Sequence, residues 1–176
     1  MLIHLKKSAE QEMTKPVTFP CDEKYLSDMC RHLGIEIITT PNSYIDEVIY
    51  DLDMNNILRG MQCNVDELNF LAKRLDSFDS NEKTTFYSSA VATKAETMKE
   101  LINLTFNTHC YSVVSDFSSL EQLGKDLYLN AKGGATREEI RELDGMEYMS
   151  KLIRNNPNPI ITPCGVVYQN GNQPQL

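Results

Sequence analysis

Tyr25, Leu26, Met29, Cys30 and Leu33 recur at intervals of three and four residues, which places their side chains on one face of a helix. Asp22 stands where an N-cap belongs and Gly34 where a left-handed C-cap belongs, so a helix is predicted over 23–33. Around it the pattern is extended. MLIHL and PVTFP are short apolar runs, and IEIITT (35–40) is β-branched. YIDEVIYDL (44–52) is rich in strand formers and carries acids, so part of it faces water. Residues 1–60 therefore read as a small sheet with one helix on it.

Residues 61–108 read as a central helical unit. Asn64 caps the first helix, with Glu67 at the third helical position and Val65, Leu68, Leu71, Ala72 and Leu75 on one stripe. Asp79 opens the second, again with a glutamate three residues on (Glu82), and Phe86, Tyr87, Ala90 and Val91 form its expected apolar stripe. Thr97 opens the third, with Met98, Leu101, Ile102, Leu104 and Thr105 on the buried side. Short loops between them require antiparallel or steeply crossed packing.

Residues 109–168 read as a mixed α/β unit. CYSVV (110–114) is a strand, and Ser118 or Ser119 caps a helix running to about Asn130. Gly133-Gly134 interrupts the chain. Thr136 starts another helix with Glu138 and Glu139 in its first turn, where carboxylates suit the positive helix end. Asp144-Gly145 divides it from a last helix through Met149, Leu152 and Ile153. NNPNP is a turn-rich linker, GVVY a terminal strand, and residues 169–176 a frayed tail. The whole is predicted to be an α+β fold.

Composition changes this picture little. With 176 residues, 41% hydrophobic and 24% charged, the chain is neither collagenous nor wholly disordered. No run approaches the ~20 apolar residues of a membrane span. MLIHLKK puts its charges after the apolar residues, the reverse of a secretory signal, so a cytoplasmic protein is expected. The five cysteines are scattered and odd in number, which suits reduced thiols in that compartment.

Catalytic signatures are sparse. The sequence has no phosphate-binding glycine loop, no dinucleotide fingerprint, no nucleophile elbow and no four-ligand zinc spacing, so neither cofactor nor metal is expected. His109 beside Cys110 is the one pair that suggests a nucleophile with its base. On a strand the two would face opposite ways. Asp51 and Asp53, read as sharing a strand face, lack the glycine-containing loop of a hard-cation site. An enzyme is not expected.

Charge is the stronger signal. The net is −8, which repels nucleic acid and anionic lipid; direct binding to either is not expected. Residues 46–82 hold nine acids against three bases, a net of −6, and residues 116–147 hold eight against four, a net of −4. The candidate partner-binding carboxylates are Asp46, Glu47, Asp51, Asp53, Asp66, Asp76, Asp79 and Glu82 in the first zone. In the second they are Asp116, Glu121, Asp126, Glu138, Glu139 and Glu142. DNA carries one charge per ~1.7 Å of axis, so carboxylates at comparable intervals could enter a groove built for phosphates. The competing explanation is two solvated helix faces, which the interspersed Lys and Arg support.

More than charge is present. NVDELNFLAKRLDSFDSNEKTTFYSSA, followed by MKELINLTFNTHCYSVVSDFSSLEQLGKDLYL, resembles the ArdA-type antirestriction proteins of conjugative elements and phages. The matching blocks are Asp66-Glu67-Leu68-Asn69 with Leu71-Ala72, then Ile102-Asn103-Leu104-Thr105 with Asn107, Cys110-Tyr111, and Leu123-Gly124. They lie in order between about Tyr44 and Ile153; the first 43 residues fall outside the resemblance. The resemblance implies an elongated, non-catalytic imitation of B-form DNA that occupies the DNA-binding groove of type I restriction–modification enzymes, commonly as a homodimer, and so protects mobile DNA. The alternative is a mobile-element interaction protein that inhibits another nucleic-acid defence, such as a CRISPR nuclease, without true DNA mimicry.

Overall fold

The computed structural model describes residues 1–7, 15–35 and 43–170. It is an α+β fold, with helices and two small antiparallel sheets. The sequence predicts three consecutive segments, 1–60, 61–108 and 109–168. The contacts gather into two compact units, Met1–Lys83 with Lys94–Thr105, and Thr84–Thr93 with the chain from Phe106 onward.

The first unit is built on a four-stranded sheet in the order β2-β1-β3-β4. Its strands are β1 (Leu2–Lys6), β2 (Val17–Thr18), β3 (Ser43–Ile49) and β4 (Gln62–Cys63). Ile3 and Leu5 of β1 are fully buried and alternate with less buried neighbours, as a half-buried strand requires. The expected strand at IEIITT lies, apart from buried Ile35, outside the described residues. Helix α1 (Glu23–Leu33) has the predicted bounds. Asp22 Oδ1 accepts from the Tyr25 N–H at 2.8 Å, and Gly34, at φ 65°, closes the far end through N–H bonds from Gly34 and Ile35 to the Arg31 and Cys30 carbonyls.

The β-rich run 44–52 is not all strand. Strand β3 ends at Ile49, and α2 (Leu52–Leu58) begins where Asp51 Oδ1 accepts from the Met54 N–H at 2.9 Å. A capping aspartate outweighs local β propensity here, because the helix can bury Met54 and Leu58. Asp51 and Asp53 therefore do not share a strand face; one caps α2 and the other lies in its first turn.

Helix α3 (Val65–Asp76) follows, capped by Asn64 and burying the predicted stripe. On its buried face, Asn69 clamps the Cys21 backbone, accepting its N–H and donating to its carbonyl. Helices α4 (Ser80–Thr93) and α5 (Met98–Asn107) come next. Each starts in a reciprocal cap, Asp79 with Glu82 and Thr97 with Glu100. The expected apolar stripe on α4 is corrected. Phe86, Ser88, Ser89 and Ala90 are buried, whereas Val91 is exposed. Small side chains bury this helix face, so its pattern carries no apolar period.

The second unit holds a three-stranded sheet in the order β5-β7-β6, from β5 (Tyr111–Val114), β6 (Ile160–Thr162) and β7 (Gly165–Gln169). Helices α6 (Leu120–Lys132), α7 (Arg137–Glu142) and α8 (Gly145–Asn155) belong to it, with the Thr84–Thr93 part of α4. Its core is Val114, Leu127, Met149, Leu152 and Tyr168, supplied by β5, α6, α8 and β7. Strand β6 falls just after the predicted linker. The predicted tail also begins too early. Gln169 ends β7, and Asn170 is buried, its Oδ1 accepting from Ser112 Oγ at 2.8 Å and its Nδ2 donating to the His109 carbonyl at 2.8 Å.

Candidate functional site

The acidic zone of the first unit starts at an irregularity in the sheet. Leu5 faces Ile45 and His4 faces Glu47, so Asp46 is the extra residue of a β-bulge. In a regular strand Asp46 and Glu47 would point to opposite faces. The bulge resets the phase: Ile45 and Val48 are buried, and Asp46 and Glu47 both stay out of the core. Asp46 is paired with Lys6 at 3.0 Å, while Glu47 is exposed.

Farther along, Asp51 caps α2 and Asp79 and Glu82 cap α4. Asp66 and Asp76 are exposed on α3, and Asp53 is half-buried on α2. The eight carboxylates thus divide by role. Asp51, Asp79 and Glu82 are engaged in helix caps and Asp46 in an ion pair. Glu47, Asp53, Asp66 and Asp76 make no ion pair among the described residues.

The six candidates of the second unit divide the same way. Asp116 accepts from the Ser118 N–H and hydroxyl, which hold its carboxyl below the usual range. Glu121 bridges Lys125 at 2.7 Å and accepts the Met146 N–H at 3.0 Å; the lysine is the larger cause of its lowered pKa. Glu139 pairs with Lys132 and closes a capping box with Thr136, again with a lowered pKa, owed first to the lysine. Asp126 accepts from Gln122 at 2.8 Å. Glu138 and Glu142 are exposed on α7. All fourteen carboxylates lie on the surface, and each zone belongs to one unit.

Contrary to the expectation from sequence, His109 and Cys110 do not face opposite ways on a strand. The two lie on a single 3-10 turn, Thr108–Cys110, not on a strand, and the Cys110 sulfur is 3.6 Å from His109 Nε2. The thiol is nevertheless fully buried, and burial raises its pKa, the opposite of an activated nucleophile. Burial pushes the Cys63 thiol up further, to about 12. Among the described residues no three of His, Cys, Asp and Glu gather as a metal site. Nor is any described helix long and apolar enough to cross a membrane.

Clefts among the described residues include the following pair. One, of about 490 Å³, is lined on the first unit by Val17, Tyr25, Asp28, Met29 and His32 among others; the second, of about 410 Å³, lies beside Ile160 and Val167. Neither gathers the predicted carboxylates. One surface residue has a setting that the local sequence pattern does not mark. Tyr50, expected in a strand, follows β3 in the left-handed region at φ 63° and is 98% exposed. Its only sequence signal is its place just before a capping aspartate.

No family model, curated protein or solved structure matches this chain.

Proposed function

We propose that this chain is a non-catalytic inhibitor that works in the cytoplasm, offering carboxylates to the basic groove of a type I restriction–modification enzyme and so excluding DNA. The observation that carries the reading is the β3 bulge. It sets Asp46 and Glu47 out of the core together, Asp46 paired with Lys6 of β1 and Glu47 exposed, at the head of a stretch, 46–58, that itself contains no basic residue. The resemblance of its ordered blocks to the antirestriction proteins supplies the choice of target.

Exposed ion pairs are worth only ~0–1 kcal/mol each, so many must act at once. Such binding weakens steeply with salt, since screening reaches ~10 Å at 0.1 M. The test is displacement of a labelled cognate duplex from the purified methyltransferase core over a salt series. The wild-type chain displaces DNA less well as salt rises. Converting Glu47, Asp53, Asp66 and Asp76 to their amides weakens displacement about tenfold or more with at most a small drop in melting temperature, since none of the four caps a helix or forms an ion pair and only Asp53 and Asp66 sit in a helix's first turn. Salt-insensitive displacement would sink the decoy reading.

A second reading, inhibition of another nucleic-acid defence through apolar contacts, is favoured by β6. Ile160 and Ile161 are both exposed on this edge strand, the latter at 81%. A salt-insensitive complex lost on changing Ile161 to serine would support it.

A further inference from the structure

Tyr50 occupies a position where its side chain does nothing for the fold. At φ 63° the backbone favours glycine or asparagine, and a bulky residue is an outlier there. The ring is 98% exposed, so no burial offsets the conformational cost. Two residues on, Leu52 is also exposed, at 74%.

The turn carrying them is fixed from both sides. Asp51 Oδ1 accepts the Met54 N–H, and Asn55 Oδ1 reaches back to accept the Val48 N–H, each at 2.9 Å. The ring is therefore presented on a rigid support, as a binding anchor must be.

Charge narrows what receives it. Residues 46–53 include four acids and no base; Asp46 is paired with Lys6 and Asp51 caps α2, so Glu47 and Asp53 are the carboxylates beside the ring that stand outside caps and ion pairs. A complementary surface combines a cationic rim with a recess that accepts a flat ring. Enzymes that act on a base after drawing it out of the duplex have that combination: a pocket that stacks the base between apolar or aromatic groups, beside groups that hold phosphate. We propose that Tyr50 enters the base-binding pocket of the DNA methyltransferase whose groove the acidic surface occupies, the phenol ring standing for a flipped base. This rests on the decoy reading above and deepens it.

The test uses the full chain, the purified type I methyltransferase core and a labelled cognate duplex. Tyr50→Gly removes the ring and suits the left-handed backbone, so the variant melts no lower than the wild type. About tenfold more of it is needed to displace the duplex, the loss expected of a buried aromatic anchor, while Tyr50→Phe stays within about threefold of wild type. A benzophenone photocrosslinker placed at position 50 labels peptides lining the base pocket. Equal displacement by Tyr50→Gly and wild type, or crosslinks confined to other surfaces, overturns the anchor and leaves the decoy reading standing. Failure of the wild type to displace DNA overturns both.

Discussion

A methyl group on Gly124 would stand 1.9 Å from the carbonyl oxygen of Gly145, and one on Gly145 would stand 1.9 Å from that of Glu121. Helices α6 and α8 therefore meet backbone to backbone, and neither glycine is needed for an unusual φ. The same approach lets the Glu121 carboxylate accept the Met146 N–H at the start of α8. One of the proposed partner-binding acids is thus part of a helix junction.

Gly124→Ala should destabilise the chain by about 1–3 kcal/mol or more, because the obstruction is backbone and cannot swing aside. Denaturant unfolding measures this. Gly133→Ala is a poor control, since Gly133 sits at φ 74°. Gln122→Ala, exposed on the same helix, should stay within about 0.5 kcal/mol of wild type. Equal stability of Gly124→Ala and wild type would mean that α6 and α8 do not approach this closely.

Asp76 and Asp79 carry the same charge three residues apart but do different work. Asp79 accepts the Glu82 N–H at 2.8 Å and receives the Glu82 carboxylate on its own N–H, whereas Asp76 is exposed at the end of α3. Asp79→Ala should cost about 1 kcal/mol and Asp76→Asn less than about 0.5 kcal/mol. Similar losses for the two would contradict the capping assignment. The contrast also shows which carboxylates can be neutralised without disturbing the fold.

Acid sensitivity follows from the lowered pKa values of Asp116, Glu121 and Glu139, below their ordinary values of 3.8, 4.5 and 4.5. A carboxylate with a depressed folded pKa contributes stability that is present above the unfolded value and is lost as pH falls through the folded one. The melting temperature should therefore vary little from these groups above about pH 5 and decline below it. Glu139→Gln should melt lower than wild type at neutral pH, and the gap should close as the pH falls below the folded value. A gap that persists in strong acid would mean that Glu139 contributes by packing and not by charge.

Most helix starts were legible because capping is local chemistry; the start of α2 was not, because Asp51 stands in a β-rich run. Asp22, Asp79, Thr97, Thr136 and Asp144 each bond to backbone within three residues, so the residue type and its offset suffice to place the helix start. The α+β class and the alternation of β1 were readable for the same reason.

Other features depend on residues distant in the chain. The phase of β3 changes at Asp46 because of its register against His4 and Leu5, some forty positions away, and no pattern within 44–52 marks the bulge. Strand β6 is three residues between Pro159 and Pro163, and becomes a strand only beside β7. The buried serines of α4, the backbone contact at Gly124 and the outward set of Tyr50 likewise arise where separate segments meet. The candidate site divides along the same line. Its acidic residues could be read directly from composition and position. Which of them serve as caps and ion pairs, and which stand open to a partner, was decided by tertiary structure, because a carboxylate's role depends on the donors the folded chain brings to it.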